Sequence, residues 1–142
     1  MRTLPLTHPV HTAITLARGE SVVAALTQFA TEHGIEAGSF VGLGAVADSE
    51  IAFYDLAAQT YRTRVIPGER EVVSLVGNVS LKEGVPFVHA HVALGDPEMA
   101  VVGGHLVEAT VAVTLEISLT TFAESLTRAF DEETGLALIN VT

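Results

Sequence analysis

The sequence predicts an α+β fold, with a mainly antiparallel sheet of about seven strands and one principal helix. The first observation is that one segment, residues 21–34, carries apolar residues at a clear helical spacing. The second is that the chain from Ser39 onward consists mostly of short runs rich in β-branched and aromatic residues, separated by turn-like positions. One early helix followed by consecutive strands is typical of α+β domains rather than of alternating α/β units.

A strand and the helix are predicted at the start of the chain. Residues 10–17 (VHTAITLA) alternate loosely between apolar and polar side chains, which favours a strand. The helix follows Gly19 and Glu20 within residues 21–34, and Gly34 is expected to end it. His33 precedes that glycine, where a cation stabilises a helix C-terminus. His8, His11 and His33 receive no functional assignment.

Strands are predicted along most of the remaining chain. Gly77-Asn78 interrupts one apolar run, and we expect a bulge or a bend there. Gly103-Gly104 is expected to form a tight turn before His105. The predicted strands are residues 39–46, 50–55, 60–66, 71–81, 87–94, 99–102 and 109–121, and they precede an irregular or helical tail over 123–140 with an apolar run at 136–139.

Size and composition point to one domain with surplus apolar surface. The 142 residues fit a single domain, residues 1–142. Apolar residues make up 49% of the chain, and the mean hydropathy of +0.45 is high for a soluble monomer. No stretch reaches the ~18 uncharged apolar residues of a membrane helix. We therefore expect no membrane partner and a subunit interface instead.

Charge and cysteine content narrow the functional classes. The net charge is −10, with only 7 Lys and Arg residues, whereas nucleic-acid binding depends on cationic contacts to phosphate. Direct DNA binding by this acidic chain is therefore disfavoured. The chain has no cysteine, so histidine and carboxylates are its strong metal ligands. The N-terminus lacks a basic segment followed by an apolar core, which indicates a cytoplasmic protein.

Three histidines form the most specific chemical pattern in the chain. His89 and His91 lie two apart in a predicted strand, so their imidazoles point to the same face. His105 follows the glycine pair and can complete a three-histidine site with an open fourth position, an arrangement typical of Zn²⁺. The alternative is three histidines that satisfy their own hydrogen bonds. Asp96 or Glu98 could orient a histidine, although turn formation beside Pro97 explains both residues.

Other polar residues offer weaker candidate sites. Glu71 and Glu116 could act as acid–base groups. The alternatives are that Glu71 forms an ion pair with Arg70 and that Glu116 faces solvent or an interface between subunits. Arg62, Arg64 and Arg70 could converge on an anion, with separate solvated arginines as the ordinary alternative. No catalytic residue is assigned.

A glycine motif at residues 42–47 matches part of a dinucleotide-binding fingerprint. Gly42, Gly44 and Ala47 have the required spacing, but the motif needs a helix directly after the glycines. The following residues, ADSEIAFYD, are strand-like. We therefore reject a dinucleotide cofactor and expect close backbone packing or a bulge.

Three motifs in order resemble a known family. They are the segments 42–46 (GLGAV) and 71–78 (EVVSLVGN), and the histidine region His89-Ala90-His91-Val92 with Gly103-Gly104-His105-Leu106. In this order and spacing they resemble the PPC domain, the plant and prokaryote conserved domain, over about residues 11–139. The resemblance implies a compact α+β domain, a homotrimer, and a metal on His89, His91 and His105.

The same resemblance implies a link to DNA. Plant members join the domain to AT-hook motifs, and prokaryotic members are single domains commonly described as candidate DNA-binding proteins. This chain has no AT-hook, because it contains no Arg-Gly-Arg core in a basic context.

Three functions remain open at the level of sequence. The first is a trimeric binding or regulatory module that holds a metal or a small-molecule ligand. The second is a small zinc metalloenzyme, for which a general base near the metal is needed. A cupin variant is a poor match, since Asp96 replaces the usual Glu and the second cupin element is missing before His105. The third is a scaffold without a ligand.

Overall fold

The α+β class is confirmed by a computed structural model, which describes residues 3–141. Those residues contain one helix, packed against a seven-stranded, mostly antiparallel sheet. The elements in chain order are β1 (Val10–Ala17), α1 (Val22–Glu32), β2 (Gly38–Asp55), β3 (Thr60–Lys82), β4 (Val85–Gly95), β5 (Val101–Thr121), β6 (Thr127–Asp131) and β7 (Leu136–Asn140). In the part of the chain described, no helix has both the length and the apolar character needed to cross a membrane.

Four strands form a closed ring of hydrogen-bonded neighbours. The sheet order is β1-β5-β2-β3-β6-β7, and β4 pairs with both β3 and β5. Strands β2, β3, β4 and β5 therefore each have two neighbours within one ring, and every pairing in it is antiparallel. The helix packs Val22, Leu26 and Ala30 against the core side of this sheet. Closure protects the edges of β4, which would otherwise be open to other chains.

The middle strands are longer than predicted. Residues 39–46 and 50–55 both belong to β2, and residues 60–66 and 71–81 both belong to β3. The glycine and aspartate positions between them are irregularities inside continuous strands. The register of β2 with β3 shifts at Gly42/Gly44 and again at Ala47/Ser49. The prediction of a bulge in the glycine motif is thus confirmed, but the predicted strand breaks are wrong.

Two further turn predictions are wrong. Gly77-Asn78 carries no bulge, since both residues pair with β4 in an unbroken register. A side chain at residue 77 would collide with the ring of Phe40, so glycine serves close packing there. Gly103-Gly104 lies inside β5, which begins at Val101 and includes the predicted strand 109–121.

The predicted irregular or helical tail is a β-hairpin of β6 and β7. The turn between these strands uses Asp131, whose carboxylate accepts hydrogen bonds from the backbone N–H and the hydroxyl of Thr134. Gly135 follows with a φ of 72°, a left-handed conformation that glycine adopts without strain. Local side-chain hydrogen bonds therefore stabilise a turn that the apolar pattern alone does not reveal.

The outer face of the sheet, opposite α1, carries exposed apolar side chains. Val76 lies opposite Val41 in β2 and opposite His91 in β4, so these residues share that face. Val41, Leu43, Val73 and Val76, here called the outer patch, are 56%, 60%, 60% and 47% exposed. A shallow groove of about 440 Å³ runs across it, lined also by Glu116 and Ser118. Glu116 thus lies on an exposed apolar surface.

The N-terminus of α1 is capped by a residue from a distant strand. The Ser21 side chain makes no capping hydrogen bond. Instead, the carboxylate of Glu108 in β5 accepts hydrogen bonds from the backbone N–H groups of Val23 and Ala24, at 2.8 and 3.0 Å. A carboxylate at this position satisfies orphan donors and interacts favourably with the helix dipole.

We expect Glu108→Gln to lower the free energy of unfolding by about 1–2 kcal/mol, because it removes the capping charge and weakens both hydrogen bonds. Urea unfolding followed by circular dichroism measures the change. Glu69→Gln is the matched control, since no hydrogen bond to its carboxylate is found in the described residues. Equal stability of the Glu108 variant and the wild type would contradict the capping role.

Candidate metal centre

The three histidines come together on the outer face of the ring. His91 in β4 lies directly opposite His105 in β5, and His89 lies two residues earlier on the same face of β4. The ring centroids are 5.1 Å apart for His89 and His91, 5.1 Å for His89 and His105, and 5.7 Å for His91 and His105. One ligand nitrogen from each ring lies within 4.8 Å of the other two. The set can therefore face a single ion.

Closure of the four-strand ring places His105 beside His89 and His91. His105 pairs with His91 on one side and with Ala52 of β2 on the other. The two preceding glycines leave room for these strands, because a Cβ atom at Gly103 would lie 2.5 Å from the carbonyl oxygen of Val92. At Gly104 it would lie 2.7 Å from the carbonyl oxygen of Ala52. The glycines thus serve close approach of backbones rather than a turn.

The environment of His89 and of His105 favours the neutral imidazole. Burial lowers the pKa of His89 to about 4, with further contributions from His105, Arg128 and His91. Burial, and then His91, also lowers the pKa of His105. At neutral pH these rings therefore carry free lone pairs, the form that binds metal.

One atom of the site is buried without a partner. Within residues 3–141, the Nδ1 atom of His105 has no hydrogen-bond partner although it is excluded from solvent. A buried polar atom of this kind is costly unless something binds it. Three converging imidazoles, one of them with such an orphaned nitrogen, fit a transition metal of the zinc type, for which imidazole is a preferred ligand.

A small cavity adjoins the histidines. Its volume is about 170 Å³, and β7 forms one of its walls. It is lined by Tyr61, Lys82, Phe87, His89, His105, Arg128 and residues 136–138. A second depression of about 320 Å³ is lined by His89 and His91 together with Val76, Gly77 and Asn78. The histidines therefore line two depressions of the surface.

Arg128 is the main functional candidate that sequence reasoning missed. Its Nε atom donates to the Ser80 hydroxyl at 2.8 Å, and its Nη atoms donate to the Ala137 carbonyl and to Asn78 Oδ1, each at 2.9 Å. These bonds hold the guanidinium rigidly beside His89. The sequence contains no signal for this, because Arg128 reaches the site only through the unpredicted hairpin. Tyr61 was also missed, because its contact with His105 depends on packing between distant strands. The two ring centroids are 5.0 Å apart.

The acidic residues near the turn after β4 take no part in the site. The Asp96 carboxylate accepts hydrogen bonds from the backbone N–H groups of Glu98 and Ala100, at 3.0 and 2.8 Å. It lies five residues beyond His91 along the chain, about 16 Å in an extended strand. Turn formation is therefore the role of Asp96, and the structure does not place Glu98 near the histidines.

The other predicted candidates also lie apart from the histidines. Glu71 makes no ion pair with Arg70 in the described residues, since neighbours in a strand point to opposite faces. The Arg70 guanidinium instead donates to the Glu69 carbonyl. Arg62 and Arg64 line one depression, where Arg62 pairs with Asp55, but Arg70 is not among its lining residues. The three arginines therefore do not converge, and the ordinary alternative of separate arginines describes them.

The remaining histidines have local contacts. His33 caps the C-terminus of α1, and its Nδ1 atom lies 2.9 Å from the Phe29 carbonyl oxygen. His11 contacts the Thr120 hydroxyl, and His8 contacts the Thr7 hydroxyl. None of the three joins the cluster around His105.

Fold and site together define a class: a β-rich protein whose closed ring presents three converging histidines. The family model of the plants and prokaryotes conserved (PCC) domain matches residues 9–123. The chain therefore belongs to this family, which confirms the resemblance to the PPC domain. Comparison with curated proteins gives no match.

Solved structures agree with this family. A plant- and prokaryote-conserved (PPC) protein from Pyrococcus horikoshii has a TM-score of 0.92 and 35% identity, over 99% of this chain and 97% of that one. A metal-containing protein from Archaeoglobus fulgidus has a TM-score of 0.91 and 35% identity, over 99% of both chains. A candidate DNA-binding protein from Ralstonia eutropha has a TM-score of 0.86 and 29% identity, over 92% of this chain and 90% of that one.

Proposed function

We propose that this chain is a metal-binding module in which His89, His91 and His105 hold one divalent ion, most favourably Zn²⁺. The observation that carries the proposal is the convergence of one nitrogen from each ring within 4.8 Å. The description of the Archaeoglobus fulgidus relative as metal-containing supports it. When bound, such an ion supplies a Lewis-acidic coordination position. The two cavities that the histidines line would admit a ligand to it.

A binding role accounts for the site better than the alternative of a zinc metalloenzyme. A metal-assisted hydrolase needs a general base within hydrogen-bond reach of the reacting water. In the described residues, no Asp or Glu lines either of the two cavities beside the histidines. Glu71 and Glu116, the acid–base candidates from the sequence, and the turn residues Asp96 and Glu98 are not among the residues that line these cavities. The proposal is therefore a ligand-receiving module, and its cytoplasmic location stays a prediction.

We also propose that the chain forms a homotrimer through the outer patch. A contiguous exposed apolar surface in a soluble protein indicates an interaction site. The edge strand β1 also favours association between chains. Within the described residues it pairs only with β5, so the backbone N–H and C=O groups along its other edge are unpaired. Val76 of the patch lies directly opposite His91, so subunit contacts would border the metal centre.

Direct DNA binding is not part of the proposal. The relative from Ralstonia eutropha is described as a candidate DNA-binding protein. This chain, however, has a net charge of −10, and Arg62 is already paired with Asp55. A particle with such a charge is repelled by phosphate unless a local basic cluster overrides the field. The three arginines that could form such a cluster do not converge.

For the metal site, we expect elemental analysis to find about one transition-metal ion per chain after purification without a histidine tag and loading with zinc. His91→Ala should weaken zinc binding by at least roughly 100-fold, since loss of a supporting residue alone costs 10–100-fold. His11→Ala is the matched control, because His11 is an exposed histidine outside the cluster. Unchanged zinc affinity in the His91 variant would refute the site.

For assembly, light scattering coupled to size exclusion should give about three times the 14.9 kDa chain mass. Leu43→Glu should shift the protein towards monomer, because it places a charge within the outer patch. Leu56→Glu is the matched control, since Leu56 has the same 60% exposure in the turn after β2. A wild-type protein that stays monomeric at micromolar concentration would exclude the trimer.

For DNA, fluorescence titration with duplex at ~0.15 M salt should show no sub-micromolar binding, because few cations are available to release counterions from phosphate. Repetition at lower salt checks for a steep salt dependence. Tight and strongly salt-dependent binding would contradict this prediction and would direct attention to Arg62 and Arg64 as contacts.

A further inference from the structure

We propose that the cavity beside the histidines binds a short-chain carboxylate, whose carboxyl group is recognised by Arg128 and Lys82. This inference rests on the proposed metal site, because the ligand would lie against His89 and His105 with its other polar group directed at the ion. It assigns a ligand class to a cavity that neither the family description nor the descriptions of the relatives mention.

The first argument is an uncompensated cation. Arg128 is partly buried, and burial lowers its pKa. Within residues 3–141, the one ion pair is that of Arg62 with Asp55, so no carboxylate neutralises Arg128. Its three recorded hydrogen bonds go to a hydroxyl, a carbonyl and an amide oxygen. Because guanidinium has five N–H donors, two remain for a ligand.

The second argument is a second cation on the same cavity. Lys82 is the single lysine of an acidic chain, and its Nζ atom lies 5.4 Å from the centroid of the Phe87 ring. The Cζ atom of Arg128 lies 5.0 Å from that same centroid. Two cations around one aromatic ring repel each other, and an anion bound beside both would offset that repulsion. The cavity therefore has the charge of an anion site.

The third argument is the size and the lining of the cavity. Its volume of about 170 Å³ is below the roughly 300 Å³ at which pockets for drug-sized ligands begin. The walls formed by Phe87, Leu136 and Leu138 are apolar. A small ligand with one anionic end and a short apolar body fits this combination better than inorganic phosphate, which has no apolar part. Among the described residues no Asp or Glu lines the cavity, so nothing in it repels a carboxylate.

The fourth argument concerns the part of the chain that supplies Arg128. Arg128 lies outside residues 9–123, the range matched by the family model. It reaches the cavity from the β6–β7 hairpin, which pairs with the ring through a single bridge between Leu81 and Thr127. The guanidinium is nevertheless fixed by Ser80 and Asn78 of β3. A rigid guanidinium pre-organised in this way loses little entropy when it binds a carboxylate.

The test uses the full chain loaded with Co²⁺, whose visible absorption reports on ligands at the ion. Glycolate is titrated into the cobalt protein, and its neutral amide, glycolamide, is titrated in parallel. We expect glycolate to change the cobalt spectrum and glycolamide to bind at least about tenfold more weakly, because a charge-assisted hydrogen bond is lost. Equal binding of the two compounds would overturn the proposal, and so would tighter binding of phosphate than of glycolate.

Variants separate the cavity from the ion. Arg128→Lys keeps the charge but loses the paired donors, and we expect it to weaken glycolate binding about tenfold while cobalt still binds. Should that variant fail to fold, Lys82→Met carries the test, because Lys82 is exposed and makes no recorded hydrogen bond in the described residues. Arg18→Met, an exposed arginine after β1, is the matched control and should leave glycolate binding unchanged.

The outcomes for the metal and for the ligand are distinct. Cobalt binding without any response to glycolate would refute the carboxylate site and leave the metal module intact. Failure of cobalt to bind would refute both. Glycolate affinity that is unchanged in Arg128→Lys and in Lys82→Met would show that the ion alone holds the ligand and would overturn the assignment of the two cations.

Discussion

The double pairing of β5 is the constraint on which the rest of the molecule depends. Near His105 this strand hydrogen-bonds to β4 on one side and to β2 on the other, and further along it pairs with β1. The same strand supplies the Glu108 carboxylate that caps α1. Gly103 and Gly104 make the double pairing possible, since side chains there would collide with backbone atoms of both neighbours. The histidine site is therefore a product of how the sheet closes.

The sequence predicts the class of fold and the histidine trio because both depend on local spacing. Residues two apart in a strand point to the same face, so His89 and His91 share a face whatever lies around them. Strand ends are harder, because Gly42, Gly44 and Gly68 look like turn residues but are irregularities within long strands. Arg128 and Tyr61 lie beyond any local rule, since their positions follow from the hairpin and from packing across the sheet. Sequence spacing identifies the candidate metal ligands but not the walls of the cavity.

The charge beside the histidines is opposite in sign to the net charge of the chain. A net charge of −10 describes the field far from the surface, where the protein repels anions. Close to the histidines the charged side chains are those of Arg128 and Lys82, and the low dielectric of a small cavity strengthens their effect. A small anion that reaches the cavity thus meets a local field opposite to that of the whole particle. A long polyanion must instead follow an extended surface, where the net charge of the whole chain acts on it.

In the described part of the chain, the β6–β7 hairpin shares only one strand-pairing bridge with the ring, and this has an evolutionary consequence. The ring carries the three candidate metal ligands, whereas the hairpin carries a wall of the cavity and one of its two cations. Substitutions in the hairpin can alter which molecule fits without disturbing the strand pairings that hold the histidines. Relatives could share one inorganic centre and yet diverge in the compounds they receive. On the proposed function, specialisation within this family is therefore expected in the C-terminal hairpin rather than in the ring.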